Sequence, residues 1–560
     1  MTTTTAPDPL EAHEHYDVVV IGAGVSGLYA LHHFREMGLS VRAYDGAPTV
    51  GGTWWYNRYP GARVDGPSAP LYGYTFSREL IDEWDWTETQ ATQSDVLDYV
   101  RFFADRFALH PDIQLETWIQ SARYDASTQR WTVETDGGTR VSAQFVICAV
   151  GALSTPNRPD LPGLDRFQGP CLHTGSWPDA PVEFAGKRVG VIGTGSSGVQ
   201  SIPEIAKQAA HVTVFQRTPQ YTVPARNRAL APEELEAVRA NWDKLVAAMK
   251  QPPPEDRPMA IQAGIGHSAY DDTPAERQAV YEQLWEIGTL GFVANNYPEL
   301  LVDEVINEEV SEFIRGKIRA TVDDPETAAK LLPDHFYGTK RPILDDGYYE
   351  TFNRDNVTLV DLREDPIEGV TEQGIRTASG DHALDVLVLA TGFDAITGSM
   401  LRLDPRGREE ASLKDKWSSR YYNYLGLMVS DFPNLFMIHG PGTPGVLYLM
   451  PLGAELETQW IGNCITRMRE QGLGAVEPTR DAELAWDEEV SALANETLLP
   501  RTDSWWAGAN IPGKPRHFSV HVGGPAYFKR IADIADEGYE GLVFEKAPEA
   551  PPVSSGGRSD

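Results

Sequence analysis

Two glycine-rich loops constrain this 560-residue chain more than anything else in it. The first, Gly22-Ala23-Gly24-Val25-Ser26-Gly27, follows the apolar run 18–21. The second, Gly193-Thr194-Gly195-Ser196-Ser197-Gly198, follows the apolar run 189–192. Each leaves a strand-like stretch and opens a helix-like one, which is the setting that gives a GxGxxG pattern meaning. Glycine permits the tight turn and the close backbone approach that a pyrophosphate on a helix N-terminus requires. The next strand differs between the two units. After the first loop, Ser40-Val41-Arg42-Ala43-Tyr44 ends in Asp45, an acceptor for the hydroxyls of an unphosphorylated ribose. After the second, the strand 211–215 leads into Gln216-Arg217-Thr218, where a guanidinium replaces the acid and suits a 2′-phosphate. The expected fold is therefore α/β, with two Rossmann-like dinucleotide-binding domains, the first for FAD and the second for NADPH.

Bulk properties narrow the field. A formal net charge of −33 argues against a nucleic-acid partner, which would want a basic footprint. Cys148, Cys171 and Cys464 lie far apart and form no CxxC, so a disulfide framework, a zinc site and the dithiol chemistry of flavin disulfide reductases are not expected. Residues 1–15 lack a basic-then-apolar signal pattern and no apolar run is long enough to span a bilayer. The expectation is a cytoplasmic enzyme without metal or membrane association.

Turn chemistry and periodicity suggest the following organisation. Residues 1–15 read as a loose leader and 16–153 as the first part of the FAD domain, with a helix near 94–107 and a hairpin formed by 121–124 and 131–135. Ser154-Thr155-Pro156-Asn157-Arg158-Pro159 marks a crossing into the NADP domain, 154–224. Residues 225–335 read as a helical insert, with helices over 232–249 and 274–287 around a Pro-rich loop at 251–258. The NADP domain resumes over 336–389 and the FAD domain over 390–546. The Pro-, Gly- and Ser-rich tail 547–560 is expected to be disordered.

Between the two nucleotide units stands Phe167-Gln168-Gly169-Pro170-Cys171-Leu172-His173-Thr174-Gly175-Ser176-Trp177-Pro178. This F-x-G-x-x-x-H-x-x-x-W-P pattern resembles the fingerprint of type I Baeyer–Villiger monooxygenases, and the phenylacetone, steroid and cyclohexanone monooxygenase group in particular. Gly51-Gly52-Thr53-Trp54, Tyr59-Pro60-Gly61-Ala62-Arg63-Val64-Asp65, Tyr337-Gly338-Thr339-Lys340-Arg341 and the segments 390–394 and 505–515 are similar to that family as well. The resemblance runs from about residue 16 to 546. It implies FAD reduction by NADPH, addition of O₂ at the flavin C4a and attack of the resulting peroxide on a ketone, giving an ester or lactone. Sulfoxidation is implied as a side activity.

The resemblance also implies site residues. Arg341 matches the family's active-site arginine, a permanently charged planar donor for an oxyanion. Asp65 matches the acid beside it. Gly22, Gly24, Ser26, Gly27, Asp45, Thr53, Trp54, Asp65, Tyr72, Thr391, Gly392 and Asp394 are expected around FAD. Gly193, Thr194, Gly195, Ser196, Ser197, Gly198, Gln200, Arg217, Thr218, Lys340, Arg341 and Trp505 are expected around NADPH. Trp506 competes with Trp505 for the place over the nicotinamide. His173 is read as a coupling residue between the domains, with no role as a base.

Overall fold

Val18, Val19 and Val20 are β-branched and wholly buried, as a strand covered on both faces demands. In the computed structural model, which describes residues 14–66, 68–251 and 264–548, they form the centre of β1 (Glu14–Ile21). Strands β2 (Val41–Tyr44), β3 (Ile113–Gln114), β4 (Ile119–Asp125), β5 (Arg130–Thr135) and β6 (Arg140–Cys148) complete a sheet of order β3-β2-β1-β6-β5-β4. β1 runs parallel to β2 and β6, and β4–β5–β6 is an antiparallel meander. A distant strand, Leu435–Met437, joins β6 in parallel, so the chain returns to this sheet late.

β1 starts earlier than the sequence suggests. Glu14 and His15 pair with Val141 and Ser142, so the last two residues of the expected leader belong to the sheet. The rest of the leader, residues 252–258 of the Pro-rich loop and residues 549–560 of the tail lie outside the described residues.

The second sheet is wholly parallel. Its order is Val357–Asp361, β9 (His211–Gln216), β8 (Arg188–Ile192), Val386–Leu389 and β7 (Cys171–His173). The helices between residues 274 and 331 pack on it, and Tyr281, Leu284, Phe292 and Ile314 share one apolar core with Val189, Val191, Val212 and Val214. The single helix expected over 232–249 is two helices, Pro232–Ala240 and Trp242–Lys250, broken at Asn241. Trp242 is 2% exposed and packs with Ile81 and Leu235.

Two chain segments cross between the sheets side by side. Asn157 N–H donates to Gly392 O (2.8 Å) and Asp394 N–H donates to Thr155 O (2.9 Å). His173 braces this crossing from beneath. Its Nδ1 accepts from Gly175 N–H (2.9 Å), which leaves the proton on Nε2 for Asn157 O (3.3 Å) or Thr391 Oγ1 (3.2 Å). Burial lowers its pKa and keeps the ring neutral.

Candidate active site

The two glycine loops are built alike. Gly22 and Gly193 have φ of +110° and +106°, and a Cβ on either would strike the carbonyl oxygen of Ala149 or Ala390 at 2.4 Å. A Cβ on Gly27 or Gly198 would strike Gly22 O or Gly193 O at 1.9 or 2.3 Å. These four glycines hold the turn against its sheet. The middle ones face outward: nothing lies within 4 Å of a Cβ on Gly195, and Gly24 meets only the backbone of Gly52. The helices that follow, Val25–Glu36 and Ser196–Ala206, begin at these middle glycines with no side-chain cap. Elsewhere Thr92, Asp303 and Thr479 cap helix N-termini with their own oxygens. Free N–H groups at the positive end of a helix are an anion site. Both loops thus fit a dinucleotide pyrophosphate.

Both open into one cavity of about 1680 Å³ between the two sheets. Gly22, Gly24, Ser26, Asp45, Thr53, Trp54, Asp65, Tyr72, Thr391 and Gly392 line it on the first side. On the second side it is lined by Gly193, Thr194, Gly195, Ser196, Ser197, Gln200, Arg217, Thr218, Lys340, Arg341 and Trp505. Gly27 and Gly198 sit behind their loops, as packing residues. Asp45 accepts from Ala23 N–H (2.7 Å) and Ala47 N–H (2.8 Å), one on each oxygen. Gln200 joins the halves, accepting from Tyr59 O–H (2.7 Å) and donating to Arg63 O (3.3 Å). Trp54 and Tyr72 meet edge to face, with ring centroids 5.6 Å apart.

Asp394, expected beside the flavin, is not among the residues that line the cavity, and its carboxylate is taken by Lys514. Lys514 Nζ donates to Asp394 Oδ1 (2.5 Å) and to Ala395 O (2.7 Å), and the lysine side chain is only 6% exposed. A buried ammonium requires a carboxylate partner, and Asp394 supplies it. Asn510 Nδ2 also donates to Phe393 O (2.8 Å), so the segment after Trp505 is fastened to the crossing. Trp505 and Trp506 both line the cavity; Trp506 is 1% exposed and packed with Phe518, whereas Trp505 is half-buried.

At the junction of the two sides lies an ion pair. Arg341 Nε donates to Asp65 Oδ2 (2.8 Å) and Nη2 to Asp65 Oδ1 (2.9 Å), while Nη1 donates to Val446 O (2.7 Å). Burial alone would push the Asp65 carboxyl up, but the Arg341 charge and hydrogen bonds hold it below the usual carboxylate range. Burial likewise works against the Arg341 cation, and Asp65 outweighs it. Of five guanidinium N–H groups, three are used, which leaves two for the cavity. Lys340, the neighbouring cation, has no ion pair or hydrogen bond among the described residues. Burial and then Arg217 lower its pKa. Asp334 and Asp503 oppose this only in part, and two cations crowded together suit a dianion.

Three features escaped the sequence. The Val446 carbonyl fixes the far edge of Arg341, but a backbone acceptor has no residue signature. Lys514 reaches Asp394 across 120 residues. Ala248 and Met249, at the end of an insert helix, line the cavity, held there by Tyr448 O–H donating to Met249 O (2.7 Å).

Two nucleotide units facing one cavity across a buried arginine define a flavin- and nicotinamide-dependent oxidoreductase. Residues 15–230 match the flavin-binding monooxygenase-like family. A Baeyer–Villiger monooxygenase from Pseudooceanicola batsensis is 40% identical over 95% of this chain and 97% of its own. The phenazine N-monooxygenase PhzNO1 of Lysobacter antibioticus is 41% identical over 95% and 98%. A solved structure of OTEMO in complex with FAD and NADP superposes with a TM-score of 0.90 at 38% identity, covering 94% of this chain and 99% of that one. The chain belongs to the Baeyer–Villiger monooxygenase family of flavoproteins, and its cofactors are FAD and NADP(H). No helix among the described residues is long and apolar enough to cross a membrane.

Proposed function

We propose that this chain uses NADPH and O₂ to convert apolar ketones to esters or lactones in the corner of the cavity beside Arg341. One observation carries the reading: a paired, buried guanidinium keeps two free N–H groups where both nucleotide loops open. Bound FAD supplies oxygen activation and NADPH the hydride. The rest falls to the protein. The Gly22 loop would take the FAD pyrophosphate, and Asp45, with lone pairs to spare on both oxygens, its ribose. The Gly193 loop would take the NADPH pyrophosphate, and Arg217, Thr218 and Lys340 the 2′-phosphate. Trp54, Tyr72 and Thr53 would wall the flavin. Trp505 would cover the nicotinamide and exclude water.

Arg341 would hold the oxyanion that develops on an attacked ketone carbonyl. Its donors are fixed beforehand by Asp65 and Val446, so no reorganisation is needed as charge appears. Leu447, Met249 and Met450 give the corner apolar walls, which favour a ketone without charge. The domain division expected from the sequence, with an insert over 225–335, belongs to the same reading, because Ala248 and Met249 bring that insert to the substrate.

The similarity to a phenazine N-monooxygenase favours a second reading, oxidation at a ring nitrogen. Aerobic incubation with NADPH and, separately, a ketone, a thioether and a phenazine decides between them. Ester or lactone should dominate, with some sulfoxide. N-oxide as the sole organic product, or hydrogen peroxide alone, would overturn the ketone assignment.

A further inference from the structure

The cavity has an outer end beyond Asp45 that the nucleotide loops do not account for. Gly46 follows Asp45, and the Trp118 indole lies directly on it: a Cβ on Gly46 would fall 2.1–2.5 Å from Cε2, Cδ2 and Cζ2 of Trp118. Trp118 immediately precedes β4 and is 45% exposed, unusual for so large an apolar side chain. Arg402 reaches it from the helix Gly398–Leu403, on the chain's second passage through the FAD side, with Cζ 5.0 Å from the indole centroid. Both residues line the cavity. Arg402 has no acidic partner or hydrogen bond among the described residues, so its charge is committed only to the indole.

The position in the nucleotide unit says what lies there. The pyrophosphate belongs at the helix after Gly24 and the ribose at Asp45, so the adenine of that dinucleotide lies further out, toward Gly46 and Trp118. The Arg402 guanidinium, backed by the indole, presents a flat face on which a purine stacks. We propose that Trp118 and Arg402 form a clasp over the adenine end of the FAD site, and that this clasp sets how slowly FAD leaves. It rests on the reading of the Gly22–Asp45 unit as the FAD half. It adds the contact that joins two distant segments across that half.

The test uses holoenzyme and the variants Trp118→Ala, Trp118→Phe and Arg402→Ala. FAD release after dilution is followed by the rise in flavin fluorescence and by flavin absorbance retained on ultrafiltration. Release should be roughly tenfold faster in Trp118→Ala and Arg402→Ala, and close to the parent rate in Trp118→Phe, which keeps a ring. The double Ala variant should release no faster than the worse single one, because both act through one contact. FMN, which lacks the adenylate half, should bind parent and variants alike. Parent-like FAD release from Arg402→Ala together with Trp118→Ala would overturn the clasp. So would equal weakening of FMN, which would place these residues at the flavin half or in the fold. If circular dichroism shows that Trp118→Ala does not fold, Arg402→Ala and Trp118→Phe decide the matter. A parent protein that retains no FAD at all would instead remove the underlying assignment of the site.

Discussion

Two buried cation–carboxylate pairs stand near the cavity, and they are wired differently. Arg341 meets Asp65 with one edge of its fork and Val446 O with the other, and still has two N–H groups to offer. Lys514 gives its ammonium to Asp394 and Ala395 O, and its side chain is 6% exposed against 20% for Arg341. Both cations are charged and both are shielded by an acid. Arg341 keeps two donors at the cavity wall, whereas Lys514 keeps one on a side chain that is almost wholly buried. Arginine affords this because its five donors lie in a rigid plane, whereas three ammonium donors are easily consumed by packing contacts. The pair at the cavity wall is the one that suits chemistry, and the Lys514 pair fastens a segment of chain. Lys340 is a third case, a cation with no acid in direct contact among the described residues, which suits a ligand that brings its own charge.

The largest break in this comparison should come from Arg341→Ala. Removal of one preorganised oxyanion donor costs about 10²–10³-fold in rate, and ester yield should fall at least that far while FAD stays bound. Flavin reduction by NADPH should survive at least in part, because hydride transfer generates no oxyanion. Stopped-flow reduction, reoxidation and ester yield are measured separately. Arg341→Lys should not rescue, since an ammonium cannot serve Asp65, Val446 O and the cavity together. Near-parental ester formation by Arg341→Ala would place the chemistry elsewhere.

Next in size is Lys340→Ala. A charge-assisted hydrogen bond to a 2′-phosphate contributes roughly 1.5–3 kcal/mol, or about 10- to 100-fold in affinity. The variant should lose that factor for NADPH and almost none for NADH, in titrations followed by flavin reduction. Equal losses for both coenzymes would show that Lys340 does not contact the phosphate.

Much of the molecule was legible because its signals are local. A glycine loop between a β-branched run and a helix reads out one nucleotide unit in about thirty residues, and the ends of the following strands, Asp45 and Arg217, differ in charge at a fixed offset. Arg341 and Asp65 were legible only through family resemblance, since the chain separates them by 276 residues. What the sequence hid depends on tertiary contact. Asp394 sits in a motif beside the cavity, but the direction of its side chain is set by Lys514. The helix break at Asn241 lies where Trp242 packs against the distant Ile81. Neither carries a periodic signal.

Lys514→Met tests the fastening pair and should have a smaller effect on turnover. Asp394 is 28% exposed, so its bare carboxylate can be rehydrated and the loss stays well short of that for a fully buried pair. The segment from Trp505 onward would keep Asn510 as a fastening and lose the other. NADPH affinity should drop by about fivefold, the equivalent of about 1 kcal/mol, with the FAD spectrum unchanged. Limited proteolysis should cut the variant faster between Trp505 and Lys514. An effect on ester formation as deep as that of Arg341→Ala would erase the distinction between the two pairs.

Glu455 sharpens the comparison from the other side, as a buried acid with no cation in contact. It is fully buried and accepts from Thr75 N–H and Thr75 Oγ1 (2.6 Å). Burial pushes its carboxyl up to about 7, and the Thr75 hydrogen bonds only partly oppose this. Asp65, less deeply placed at 28% exposed and paired with Arg341, is held low. The folded-state value for Glu455 exceeds the unfolded one, near 4.5, so the fold prefers the protonated form. Its contribution to stability is therefore complete below about pH 4.5 and is lost as pH rises through about 7. Glu455→Gln keeps a neutral group of the same shape that can accept from Thr75 N–H and donate to Thr75 Oγ1. It should leave turnover unchanged and remove this part of the pH dependence. Urea unfolding of parent and variant at pH 5 and pH 8 measures it: the variant should gain on the parent at the higher pH. A parent and variant that change in parallel over that range would mean that Glu455 is as well compensated as Asp65, and that a cation is not what separates the two acids.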